Sequence, residues 1–165
     1  MGKTKLAPTA SSVQERAAAD EILRRLDLNP GVSFGCIVAR VSELYGKKLQ
    51  LVPVESSELA MLSGLWVETD KVGYVYFRAD DPVAYKLHSI FHEFGHALDK
   101  HTDCNVLRVL EIPALETMGL GEQMRNAQAR GLLDSPAERS AELVAYALSS
   151  LLLHPQTSPH SAAFE

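Results

Sequence analysis

The spacing of apolar residues changes period several times along the chain. Ile37, Val38, Val41, Leu44 and Tyr45 recur at three- and four-residue steps, which predicts a helix over "VSFGCIVARVSELY", with Gly46 just past its end. Upstream, "VQERAAADEILRRL" predicts another helix. It opens at Ser12, with Glu15 three residues on as a capping box, and stops before Asn29-Pro30-Gly31. After Gly46 the pattern turns strand-like. Leu49 and Leu51 alternate in "KLQLVPV", and Pro53, which cannot donate to a ladder, marks an edge or the strand's end. "LSGLWVE" and "VGYVYFR" are joined by "TDK", the pattern of a hairpin. Helical spacing returns at Val83, Leu87, Ile90, Phe94 and Leu98, a stripe expected to be buried. Asp81 as N-cap and Pro82 at the first helical position open this helix, which is expected to reach about His101.

Residues 102–120 give no clear period. "NVLRVLE" reads as a short helix or a loop with apolar anchors, interrupted by Pro113, and "GEQMRNAQARG" reads as a polar excursion. A last helix opens at "SPAERSAELVAYALSSLLL". Ser135 is its N-cap, Pro136 its first residue and Glu138 the third, a second capping box. The order of elements predicts an α+β fold, with helices packed on one small, largely antiparallel three-stranded sheet. One domain is expected over residues 11–155, between a disordered segment at 1–10 and a flexible tail at 156–165.

Composition narrows the function classes. Of the 165 residues, 46% are hydrophobic and 22% charged, values of an ordinary globular chain. A net charge of −5 argues against nucleic acid or an anionic membrane as the main partner. The two cysteines, Cys36 and Cys104, are far apart and form no CxxC, so neither a zinc knuckle nor a disulfide framework is indicated. The start, "MGKTKLAPTASS", lacks the apolar stretch of a signal peptide. The run "LVAYALSSLLL" is far shorter than the about 20 residues of a membrane span. A cytoplasmic location is the expectation.

The chemistry is concentrated in "FHEFGH", residues 91–96. His92 and His96 lie one turn apart on one helix face, about 6 Å along the axis, so both imidazoles can address one ion. Glu93 is set off that face, placed to act on a water beside the metal rather than to ligate it. Two imidazoles suit zinc, expected at one ion per chain. A catalytic zinc takes a third protein ligand and keeps one position open. The last helix offers Glu138 and Glu142 on one face. Glu138, as the third residue of a capping box, would be drawn back to the helix start. Glu142 lies in an apolar stretch, where a carboxylate needs a partner. The third ligand is therefore expected at Glu142, with Glu138 as its competitor. His88 is two turns from His96, about 12 Å, too far to share an ion with it, and is expected at the cleft rim. Asp99 and Thr102 stand where the long HExxHxxGxxH pattern needs Gly and His, which excludes that class.

With these residues in place, the chain from about 32 to 155 resembles the ImmA/IrrE-type metallopeptidases, small gluzincin-like proteins of bacteria and their mobile elements. The resemblance is carried by "LSGLWVETDKVGYVYFRADDPVAYKLHSIFHEFGHALDKH" and "AELVAYALSSLLLHP". It implies a zincin-like domain whose third ligand is a Glu followed four residues later by an aromatic and then Ala, a pattern that Glu142, Tyr146 and Ala147 match. It also implies cleavage of a partner protein, commonly a helix-turn-helix repressor encoded nearby, whose loss derepresses a mobile-element or stress programme. Glu93 would be the general base. A second electrophile is expected opposite, for which Tyr146 and His101 are only weak candidates. An extended substrate would add as a strand to the sheet, with residues 72–78 the expected edge. The reading from another class is a zinc-stabilised module that captures a regulator without cutting it. Such a site would have no need of Glu93.

Overall fold

The computed structural model describes residues 10–59, 62–99, 126–129 and 135–154. The expectations for the two chain ends, for His101 and for the segment 102–120 lie outside them. The elements are α1 (Ala10–Leu26), α2 (Phe34–Tyr45), β1 (Lys48–Val54), a 3-10 turn (Ser56–Glu58), β2 (Gly64–Glu68), β3 (Val72–Arg78), α3 (Val83–Asp99), β4 (Asn126–Ala129) and α4 (Pro136–Leu153). The fold is mixed α and β, as the periodicity predicts.

Local chemistry explains most of the boundaries. Leu26 ends α1 because Asp27 turns to a left-handed φ of 48°. Ser33 caps α2, its side chain accepting from the Cys36 amide, and Gly46 closes it at φ 81°. Two start signals are corrected. Ser12 lies inside α1, and it is Ser11 whose hydroxyl donates to Glu15. Pro82 precedes α3, its carbonyl accepting from the Tyr85 and Lys86 amides. The stripe on α3 is buried at Ile90, Phe94 and Leu98, whereas Val83, in the first turn, is 70% exposed.

The sheet is mixed, in the order β1-β3-β2-β4. β2 and β3 form the expected antiparallel hairpin, but β1 runs parallel to β3. Two of the three pairings are antiparallel, in line with a largely antiparallel sheet; the parallel β1 makes it mixed, and β4, which pairs antiparallel with β2 inside the stretch read as a polar excursion, adds a fourth strand to the three expected. The strand order also removes residues 72–78 as a docking edge, because β3 is hydrogen-bonded on both sides. Leu49, Trp66 and Val75 join Ile22, Leu26, Ile37, Val41, Phe91, Phe94 and Leu148 in the core between sheet and helices. No helix among the described residues is long and apolar enough to cross a membrane.

Helix α3 is the axis of the molecule. It packs on β2 and β3, and α4 lies across it. From Ser89 to Leu98 every residue of α3 is buried. Gly95 is needed at the crossing, since a Cβ there would come within 2.7 Å of the Ala141 Cα on α4. A glycine inside a helix costs about 1 kcal/mol in propensity, and here a close approach by another backbone, that of the last helix, explains it. A buried Glu15 on α1 accepts from Arg139 at 2.8 Å and so ties the first turn of α4 to α1.

Candidate metal centre

His92 and His96 point from α3 toward the first turns of α4. Both are almost fully buried, at 2% and 1% exposure. Their Nε2 atoms lie 2.9 Å apart. Two ring nitrogens that close, in a dry setting, require a proton or a cation between them, since two lone pairs would repel. Glu138 completes the group from the facing helix. Its Oε2 is 3.2 Å from His92 Nε2, and its Oε1 is 3.4 Å from His96 Nε2. The ligand atoms of His92, His96 and Glu138 all lie within 4.8 Å of one another, a set that can hold a metal ion.

Glu142, the expected third ligand, is not in that set. Its Oε2 lies 3.1 Å from His92 Nδ1, on the other side of the imidazole. Its two oxygens are each 3.2 Å from His88 Nε2. The structure therefore places the competitor, one turn nearer the helix start, at the paired Nε2 atoms. The physical reason lies in the cap. Ser135 accepts from the Glu138 amide at 3.2 Å, so one half of the capping box forms. The other half does not, because the Glu138 carboxylate turns inward to two imidazoles instead of back to the helix start. Burial pushes its pKa up, but hydrogen bonds and charge from His92 and His96 outweigh this and hold it down at about 2.

Glu93 is fully buried beside β2. Its carboxylate packs against Gly64, where a Cβ would come within 2.8 Å of Oε1. Gly64 thus makes room for this side chain at the start of the strand. The sequence contains the signal, a glycine opening the "GLWVE" strand, but nothing in the pattern says which side chain fills the space. His88, expected at the rim, is partly buried and held by Glu142. Tyr146 is 62% exposed and packs its ring on His88, with centroids 5.1 Å apart, rather than facing the Nε2 pair. Two turns of α4 separate it from Glu138, about 12 Å. Compared with known proteins, the chain matches no family model, no curated protein and no solved structure.

Proposed function

We propose that this protein is a zinc-dependent endopeptidase that hydrolyses a bond in a partner protein. The observation that carries the reading is the convergence of His92, His96 and Glu138 beside a buried Glu93 on the same helix turn. Two imidazoles and one carboxylate are the donor set of a catalytic zinc with an open position. A zinc ion there would supply Lewis acidity, polarising a carbonyl and lowering the pKa of a water toward about 7. Glu138, ionised at ordinary pH, supplies the negative charge that makes the pocket favourable to a dication. Glu93 accepts the proton of the attacking water and returns it to the leaving amine. Burial of both histidines keeps bulk water from competing for their nitrogens.

The substrate class rests on the resemblance to the ImmA/IrrE-type peptidases alone. It points to a helix-turn-helix repressor encoded near this gene, cut in an exposed linker that can enter the site as an extended strand. The net charge of −5 makes a basic partner electrostatically favourable. The test incubates the chain and its Glu93→Gln variant with that repressor and with casein. Defined repressor fragments that need zinc and Glu93, at a rate at least about a hundredfold lower in Glu93→Gln, are expected. Equal cutting of casein would mean a general peptidase. Capture of the repressor by both forms without fragments would mean a binding module and would overturn the reading.

A further inference from the structure

We propose that Glu142 and His88 form a positioning pair that fixes the ring orientation and tautomer of His92. The inference rests on the metal-centre reading above and assigns a role to two residues outside the ligand set. A neutral imidazole has one N–H and one lone pair, on opposite sides of the ring. A carboxylate accepts only. With Glu142 Oε2 at 3.1 Å from Nδ1, the proton of His92 belongs on Nδ1, where it donates to Glu142. With a cation held between Nε2 and Glu138, the lone pair is thereby assigned to Nε2, the atom that faces Glu138 and His96. The other tautomer would set the Nδ1 lone pair against a negative oxygen.

Glu142 is itself held in place. Its side chain is 32% exposed and would otherwise be able to swing outward. His88, one turn before His92 on α3, reaches both carboxylate oxygens at 3.2 Å through Nε2. Tyr146, one turn beyond Glu142 on α4, packs on the His88 ring from the solvent side. A row of side chains thus runs from the surface to the ion site, Tyr146 to His88 to Glu142 to His92. Each member restricts the next. Partners of this kind orient a ligating histidine and raise its basicity, and losing one lowers metal affinity by about 10- to 100-fold.

The experiment measures zinc affinity of the full chain by competition with a chromophoric chelator, and the visible absorption of the cobalt(II) form. Glu142→Ala is expected to weaken zinc binding by about 10- to 100-fold while keeping the intense tetrahedral cobalt band, because the ligand set is unchanged. Glu142→Gln, whose amide oxygen can still accept from Nδ1, should recover most of the affinity. His88→Ala should weaken binding in the same direction, and the Glu142→Ala/His88→Ala double variant should be no weaker than Glu142→Ala alone, because the two act in series. Loss of the cobalt band in Glu142→Ala, with the band kept in Glu138→Ala, would make Glu142 a ligand and overturn the proposal. Unchanged affinity in both Glu142→Ala and His88→Ala would overturn it while leaving the metal centre standing. A wild-type chain that binds neither metal would overturn the metal centre itself, and the pair with it. Glu142→Gln and His88→Ala keep the test decisive if Glu142→Ala does not fold.

Discussion

Replacing Gly95 by alanine tests whether the crossing of α3 and α4 sets the geometry of the proposed metal centre. The new Cβ would lie 2.7 Å from the Ala141 Cα, 3.0 Å from its Cβ and 3.2 Å from its carbonyl oxygen. Ordinary contacts begin at 3.4 Å, so the shortfall at the Cα is about 0.7 Å. The obstacle is backbone, which cannot rotate away, so the helices must separate. Overpacking of this kind costs about 1–3 kcal/mol, and alanine returns about 1 kcal/mol of helix propensity. A net destabilisation of up to about 2 kcal/mol follows. Glu138 sits one turn before Ala141 on the displaced helix. A shift of about 0.7 Å exceeds the roughly 0.5 Å within which a site must be held. Zinc affinity should therefore fall at least about tenfold. Urea unfolding of the metal-free chain and chelator competition measure the two effects. Gly35→Ala on α2 is the control. Nothing lies within 4 Å of its added Cβ, so it should be neutral or stabilising by up to about 1 kcal/mol, with zinc binding unchanged. A Gly95→Ala variant that gains stability and keeps full zinc affinity would refute the reasoning.

Two further perturbations follow from the same contacts. Gly64→Ala sets a Cβ within 2.8 Å of Glu93 Oε1, so it should lower peptide hydrolysis by about tenfold or more while zinc content is retained; equal loss of both would show that the strand supports the ligands rather than the base. Glu138 has a folded pKa of about 2 against an ordinary 4.5, so in the metal-free chain its stabilising contribution is complete above about 4.5 and is lost as pH falls toward 2. Denaturant midpoints of the wild type and Glu138→Gln should accordingly converge between pH 4.5 and 2, and a gap that stays constant over that window would contradict the assigned cause.

Much of the fold is legible in the residues because local signals agree with it. Ser33 and Gly46 bracket α2 by capping chemistry alone, and "VGYVYFR" and "KLQLVPV" coincide with β3 and β1. What the pattern does not carry is pairing. Nothing in "KLQLVPV" tells a parallel partner from an antiparallel one, and "NAQA" has neither the β-branched nor the aromatic residues that mark a strand. Its place beside β2 comes from backbone pairing with that strand rather than from its own side chains.

The site divides the same way. His92, Glu93 and His96 are fixed by helical spacing within one element. The choice between Glu138 and Glu142 depends on how α4 crosses α3, a distance set by Gly95 and Ala141. The local capping rule assigned Glu138 to its own helix end. Two buried imidazoles outbid the helix start for its carboxylate, a tertiary contact that no window of sequence contains. Gly95 is visible as an oddity in a helix, but its partner is not.

The metal content of purified protein after dialysis against limiting zinc is the most direct test of the proposed centre. One zinc per wild-type chain is expected, with His92→Ala, His96→Ala and Glu138→Ala each losing most of it and Glu142→Ala still loading at high zinc. A wild-type chain without zinc, or a Glu138→Ala chain that keeps its full complement, would contradict it.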